Sequence, residues 1–137
     1  MKRKSLLGLL LCAFAVMSCS KENTPPPTYQ IAGLWIGTYT VNQIPSQGNL
    51  YYSFIIKPDG TLLTEGKGGN GTMLYSSGTW SLTDSTFTYK VQAFQSGIQQ
   101  TGALKFSNKG QLTGGTWTDT NNSPNLSGTF PVMARIN

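Results

Sequence analysis

The chain contains no histidine, and its two cysteines, Cys12 and Cys19, both lie near the amino terminus of the 137 residues. Without imidazole no histidine base is present to activate a serine or a thiol, and no histidine can serve a metal site. Carboxylates are scarce as well: Glu22, Asp59, Glu65, Asp84 and Asp119 are the whole acidic complement. Asp59 and Asp84 fall in short turn signals, where a carboxylate commonly caps the backbone, and Asp119 begins a longer link. No two of the five are spaced as an acid–base pair. With hard ligands scattered and soft ones missing, neither a metal nor a cofactor is expected, and the chain reads as noncatalytic. A last absence concerns the fold. No long segment repeats its apolar residues at helical period, and the longest apolar run, Leu6 to Val16, stands at the start of the chain.

That run follows Lys2, Arg3 and Lys4 and covers eleven residues, roughly half of the ~20 that span a bilayer as a helix. A cationic start and a short apolar stretch are the signature of a signal peptide. Its end, Val16-Met17-Ser18-Cys19, resembles the bacterial lipobox. The resemblance implies a diacylglyceryl group on the Cys19 sulfur and cleavage just before it, so residues 1–18 are expected to be a lipoprotein signal peptide. Two or more acyl chains anchor stably, each buried CH₂ contributing about 0.8 kcal/mol. Cys12 then leaves with the signal and Cys19 is consumed by lipid, so the folded part has neither thiol nor disulfide. Three of the ten cations leave too, and seven against five carboxylates give a net charge of +2 rather than +5. No basic cluster remains for nucleic acid. Residues 19–30 carry Pro25-Pro26-Pro27, which favours an extended tether of up to roughly 35 Å at about 3.1 Å per residue. The expected partner is the membrane and the expected place the cell envelope, lipid-anchored at the outer membrane, with the periplasmic or surface side left open.

From residue 31 to 137 the pattern is that of a single all-β domain. Phe87, Tyr89, Val91 and Ala93 alternate with Thr88, Lys90 and Gln92; Gly128, Phe130, Val132, Ala134 and Ile136 alternate with Thr129, Pro131, Met133 and Arg135. Such period-two runs predict strands with one buried and one wet face. Eight are predicted, near 33–42, 50–57, 61–66, 72–82, 86–94, 100–107, 111–118 and 126–136.

The links between them alternate in length. Pro58-Asp59-Gly60, Thr83-Asp84-Ser85 and Asn108-Lys109-Gly110 are tight, whereas 42–49, 66–71, 95–99 and 119–125 are long. In an up-and-down order alternate links fall at opposite ends, so the long loops share one end. Eight strands so ordered predict an antiparallel up-and-down β-barrel, which leaves no open sheet edge. A glycine precedes a large aromatic by two residues in Gly33-Leu34-Trp35, Gly78-Thr79-Trp80, Gly115-Thr116-Trp117 and Gly128-Thr129-Phe130. At strand period the two share a face, and the missing side chain makes room for a ring inside a narrow barrel. Leu112 and Trp117 have opposite parity, so both point inward only if Gly114-Gly115 forms a bulge.

Two stretches, Phe54-Ile55-Ile56-Lys57-Pro58-Asp59-Gly60-Thr61-Leu62 and Gly78-Thr79-Trp80-Ser81-Leu82-Thr83-Asp84-Ser85-Thr86-Phe87-Thr88-Tyr89, resemble the lipocalin-like domain of small Bacteroidota lipoproteins. Gly33-Leu34-Trp35 resembles the lipocalin Gly-x-Trp signature. The resemblance implies a barrel with a ligand cup and an arginine late in the last strand packed on the first-strand tryptophan, here Arg135 and Trp35. Strand direction places Trp35 and Trp80 deep, as structural residues, and Tyr39, Tyr52, Trp117 and Phe130 towards the mouth, with Phe94 on its rim. These last five are the expected ligand-binding residues for a small apolar or amphipathic molecule. The alternative is a noncatalytic interaction module whose four long loops meet a protein or a glycan.

Overall fold

A computed structural model describes residues 30–107 and 109–136. The expected signal peptide, Cys19 and the expected tether up to residue 29 lie outside the described residues. The strands are β1 (Gly33–Val41), β2 (Leu50–Ile56), β3 (Thr61–Lys67), β4 (Met73–Thr83), β5 (Thr86–Ala93), β6 (Gln99–Ser107), β7 (Gln111–Asp119) and β8 (Ser127–Ile136). Each pairs antiparallel with the next, and β8 returns to β1 to close a barrel in up-and-down order. The eight runs predicted from alternation match these strands to within one residue at either end. In β5, Phe87, Tyr89 and Val91 are buried while Thr88, Lys90 and Gln92 are exposed.

Local chemistry sets the two ends apart. Between β2 and β3 the Asp59 carboxylate accepts from the Thr61 amide at 2.9 Å and from its hydroxyl at 2.6 Å. Gly60 there has a φ of 84°, a left-handed conformation that glycine adopts without steric cost. Asp84 takes the same region at a φ of 54° in the turn between β4 and β5, as short polar side chains do more readily than most. The four long loops gather at the opposite end, the first of them carrying a 3-10 turn at Pro45–Gln47.

Outside the barrel, hydroxyl side chains line up across strands. Thr40, Thr129, Thr116, Ala103, Thr88 and Ser81 are successive cross-strand partners from β1 through β8 to β4. Thr40 and Thr129 share a hydrogen bond of 2.8 Å, as do Ser81 and Thr88. Such pairs each contribute roughly 0.2–1 kcal/mol and solvate the outer wall at the same time.

The bulge predicted in β7 is present. Gly114 has a φ of 59°, the pairing with β6 shifts between Ala103 and Lys105, and Leu112 and Trp117 are both buried. The alternation predicted for β8 fails past its middle: Met133 is fully buried, whereas Val132 and Ile136 are 44% and 48% exposed. The cause lies on the neighbouring strand. Pairing of β7 with β8 runs in unbroken register from Thr113↔Val132 to Gly115↔Phe130, so β8 inherits the offset of β7 opposite Pro131. The extra residue then shows in the pairing with β1, between Gly37↔Met133 and Thr40↔Thr129. Proline has no N–H to give to a ladder, and a bulge is where a strand tolerates it.

The predicted use of glycine also needs correcting. At the four glycines so placed, a Cβ would first meet Arg135 at Gly33, the Lys90 backbone at Gly78, Leu104 at Gly115, and the Thr40 backbone and Trp117 at Gly128, not the ring two residues along. Where a glycine does make room for a ring, that ring lies across the ladder. Tyr52 is paired with Gly66, and a Cβ on that glycine would come within 2.8 Å of the ring. Tyr89 is paired with Gly102, where a Cβ would come within 2.5 Å. Directly opposed residues in an antiparallel pair lie closest, so the space for a ring comes from its partner strand.

Rings fill the closed end and the middle of the barrel. Trp35, Phe54, Phe87 and Phe130 are fully buried, packed with Leu62, Leu104, Leu112 and Met133. Phe54 lies 5.1–5.6 Å from Tyr52, Phe87, Tyr89 and Phe130, mostly edge to face, the arrangement that the ring quadrupoles favour. Below them, Ile31 ahead of β1 is buried and its carbonyl accepts the Trp35 indole N–H at 2.7 Å. The chain therefore enters at the closed end.

Candidate functional site: an aromatic cup beneath the long loops

Ring packing stops short of the loop end. Above it lies a cavity of about 370 Å³, bordered by residues of every long loop: Ile44 and Gln47, Gly68 and Gly69, Ser96 and Ile98, Asn122 and Leu126. Strand parity supplies its walls, with Tyr39 and Val41 from β1, Tyr52 from β2, Thr64 and Gly66 from β3, and Trp117 and Asp119 from β7. Apolar surface predominates, and the polar groups are few and specific.

Of the residues predicted to touch a ligand, Tyr39, Tyr52 and Trp117 come together here. The Tyr39 ring is 5.4 Å from that of Tyr52 and 5.7 Å from that of Trp117, both edge to face. The Tyr39 hydroxyl donates to the Lys67 carbonyl at 3.0 Å and the Trp117 indole N–H to the Thr40 carbonyl at 3.1 Å. Each ring is thereby fixed by its polar edge, and its apolar body is free to meet a guest. Phe130 sits one layer down, fully buried, 5.1 Å from Tyr52 and 6.3 Å from Tyr39. It is the floor on which the wall rings rest. Phe94, expected on the rim, is out of frame with Ala93, which lines the cavity; it is 64% exposed and does not line the cup.

The residues assigned structural roles lie elsewhere. Trp80 packs beside Phe87 and donates its indole N–H to the Lys57 carbonyl at 2.9 Å, next to a tight turn. Arg135 stands directly opposite Trp35 in the β1–β8 ladder. Its Nη2 donates to the Ala32 carbonyl at 3.1 Å, while its buried Nε has no hydrogen-bond partner among the described residues.

Two polar residues of the cup were not anticipated. Gln100, the second residue of β6, accepts through Oε1 from both the Tyr52 hydroxyl at 3.0 Å and the Tyr89 hydroxyl at 2.8 Å. Asp119, the last residue of β7, is directly opposite Gln100 and only 7% exposed. Asn122 donates to its Oδ2 at 3.4 Å. With Oε1 of Gln100 held by two phenols, its amide N–H groups are left for the carboxylate. Both were legible in frame: Asp119 follows Trp117 by two, and Gln100 precedes Gly102 and Leu104 at the same spacing.

Burial governs the ionisation of this group. Desolvation raises the Asp119 pKa above its ordinary value of 3.8, against the lowering effect of the Asn122 and Gln100 amides. Burial likewise pushes the Tyr52, Tyr89 and Tyr39 hydroxyls upward, with the Asp119 charge adding to each, so all three stay neutral donors. A carboxyl that binds its proton more tightly when folded favours the fold in its protonated form. Its contribution therefore grows as pH falls through the raised folded pKa and levels off below the unfolded value. Asp119→Asn is accordingly expected to be more stable than the native protein at neutral pH, with the gap closing by about pH 4. Urea unfolding of both proteins at several pH values checks this. The comparison cancels the opposite drift from Asp59, whose pKa is lowered first of all by the Thr61 hydroxyl.

The barrel, the buried aromatic cluster and the open cup together define an eight-stranded architecture compatible with a lipocalin-like fold. No family model matches the chain, and no curated protein matches it.

Proposed function

We propose that the protein is a noncatalytic lipocalin-like lipoprotein that holds a small apolar or amphipathic molecule in its cup. One observation carries the reading: aromatic packing ends at Tyr39, Tyr52 and Trp117 and leaves about 370 Å³ under all four long loops. Volumes of this order, apolar with a few placed polar groups, are what small-molecule sites have. Lipid on Cys19 would anchor the chain in the cell envelope, at the outer membrane. Because the chain enters the barrel at the closed end, a tether from Cys19 would hold that end to the bilayer and present the mouth to water.

Ser76, paired with Ala93 across the wall, lines the cavity, whereas Val132 is on the outer face. The neutral fluorescent probe N-phenyl-1-naphthylamine is expected to brighten on binding the native protein. Ser76→Trp should weaken that binding by about tenfold or more, a loss of ~1.4 kcal/mol, and Val132→Trp should leave it unchanged. Equal binding by both variants, each shown to be folded by thermal unfolding, would overturn the cup reading.

A further inference from the structure

We propose that the occupant of the cup is an organic cation, an alkyl or aryl ammonium whose charge is met by the Asp119 carboxylate. The inference rests on the cup reading and adds the charge of the guest.

Asp119 faces the cavity with 7% of its surface exposed, and among the described residues no cation pairs with it. The described lysines, Lys57, Lys67, Lys90, Lys105 and Lys109, are all exposed. Arg135 lies at the closed end and donates to the Ala32 carbonyl. What reaches Asp119 is amide: Asn122 at 3.4 Å, and Gln100 across the ladder. A carboxylate taken from water without a countercharge is costly, and amide dipoles offset the cost only in part. Asparagine at this position would keep one acceptor oxygen for these amides without the cost of a buried charge, so a cup built for neutral guests gains little from a carboxylate. An ammonium arriving with its own charge restores the balance.

The neighbouring rings suit the same guest. Tyr39 and Trp117 meet edge to face at 5.7 Å beside the carboxylate, and ring faces attract cations, most strongly where water is displaced. The apolar wall, with Leu74, Ile98 and Leu126 near the mouth, accepts the hydrocarbon part. An anionic amphiphile such as a fatty acid would set its carboxylate against that of Asp119, and like charges in a partly desolvated site repel.

Octylammonium, octanol and octanoate share one chain and differ in head-group charge, so displacement of N-phenyl-1-naphthylamine by each isolates the charge. For the native protein at neutral pH the ammonium is expected to bind about tenfold tighter than the alcohol, with octanoate weakest; tenfold corresponds to ~1.4 kcal/mol. In Asp119→Asn the ammonium should fall to the level of the alcohol. The order in the native protein needs no variant to be read. Alcohol binding as tightly as ammonium, or an ammonium preference that survives in Asp119→Asn, would overturn the charge assignment and leave the cup reading standing. Failure of all three to displace a bound probe would also overturn the charge assignment, while the cup reading falls only if Ser76→Trp and Val132→Trp bind the probe equally.

Discussion

Gln100→Leu is expected to lower the free energy of unfolding by about 2–6 kcal/mol, although leucine is the more apolar residue. Two buried phenols converge on its Oε1 at 3.0 and 2.8 Å, one from β2 and one from β5. Removing the acceptor leaves both donors unpaired at once, and each unsatisfied group costs about 1–3 kcal/mol. Asp119 would lose an amide facing it at the same time. The loss belongs to the pairing, so deleting the hydroxyls should reverse it. Tyr52→Phe and Tyr89→Phe are each expected to destabilise the native background and to recover stability in the Gln100→Leu background. Urea unfolding across this set of variants measures the coupling directly. Strictly additive losses would mean that the three side chains do not act as a unit.

This network also shows where the sequence was readable and where it was not. Strand order, both ends of the barrel and the sharing of one end by the long loops follow from local signals: period-two alternation and turn residues such as Asp59-Gly60. The β7 bulge was also local, because Leu112 and Trp117 conflict in parity within a single strand. The β8 offset was not. Val132 and Met133 are both apolar, and nothing within β8 says that its second half shifts frame. The instruction comes from Gly114, which lies opposite Pro131 once the strands pair. Glycine placement failed for the same reason, since Gly66 and Gly102 serve rings on other strands.

Gln100 and Asp119 were missed for a different reason. A polar residue at a strand end resembles the start of a loop, and Asp119 reads as one in the sequence. In a barrel whose interior is dry for most of its length, a polar residue in frame with the buried set marks the height at which the interior becomes a site. Phe94 is the converse case: large, aromatic and near the mouth, but one residue out of frame and exposed. In choosing cup residues, parity outranks residue type.

Phe130→Ala is expected to cost about 3–5 kcal/mol of stability, as removal of a fully buried ring does, and to deepen the cup. Phe130 touches Tyr39, Tyr52, Phe54 and Tyr89 at ring separations of 5.1–6.3 Å, so it joins the wall rings to the closed core. The residue opposite it in the ladder is Gly115, which has no side chain to swing into the void. Tyr52 and Tyr89 are held by Gln100, and Tyr39 by the Lys67 carbonyl, which limits their collapse. The vacated space should therefore remain and join the cavity above. With a homologous series of alkylammonium ions, the chain length giving the tightest binding is expected to increase in Phe130→Ala, while preference for the ammonium head is retained because Asp119 is untouched. An unchanged optimum, with stability lowered as expected, would mean that the rings had closed over the gap and that the floor of the cup is set by Tyr39 and Tyr52 themselves.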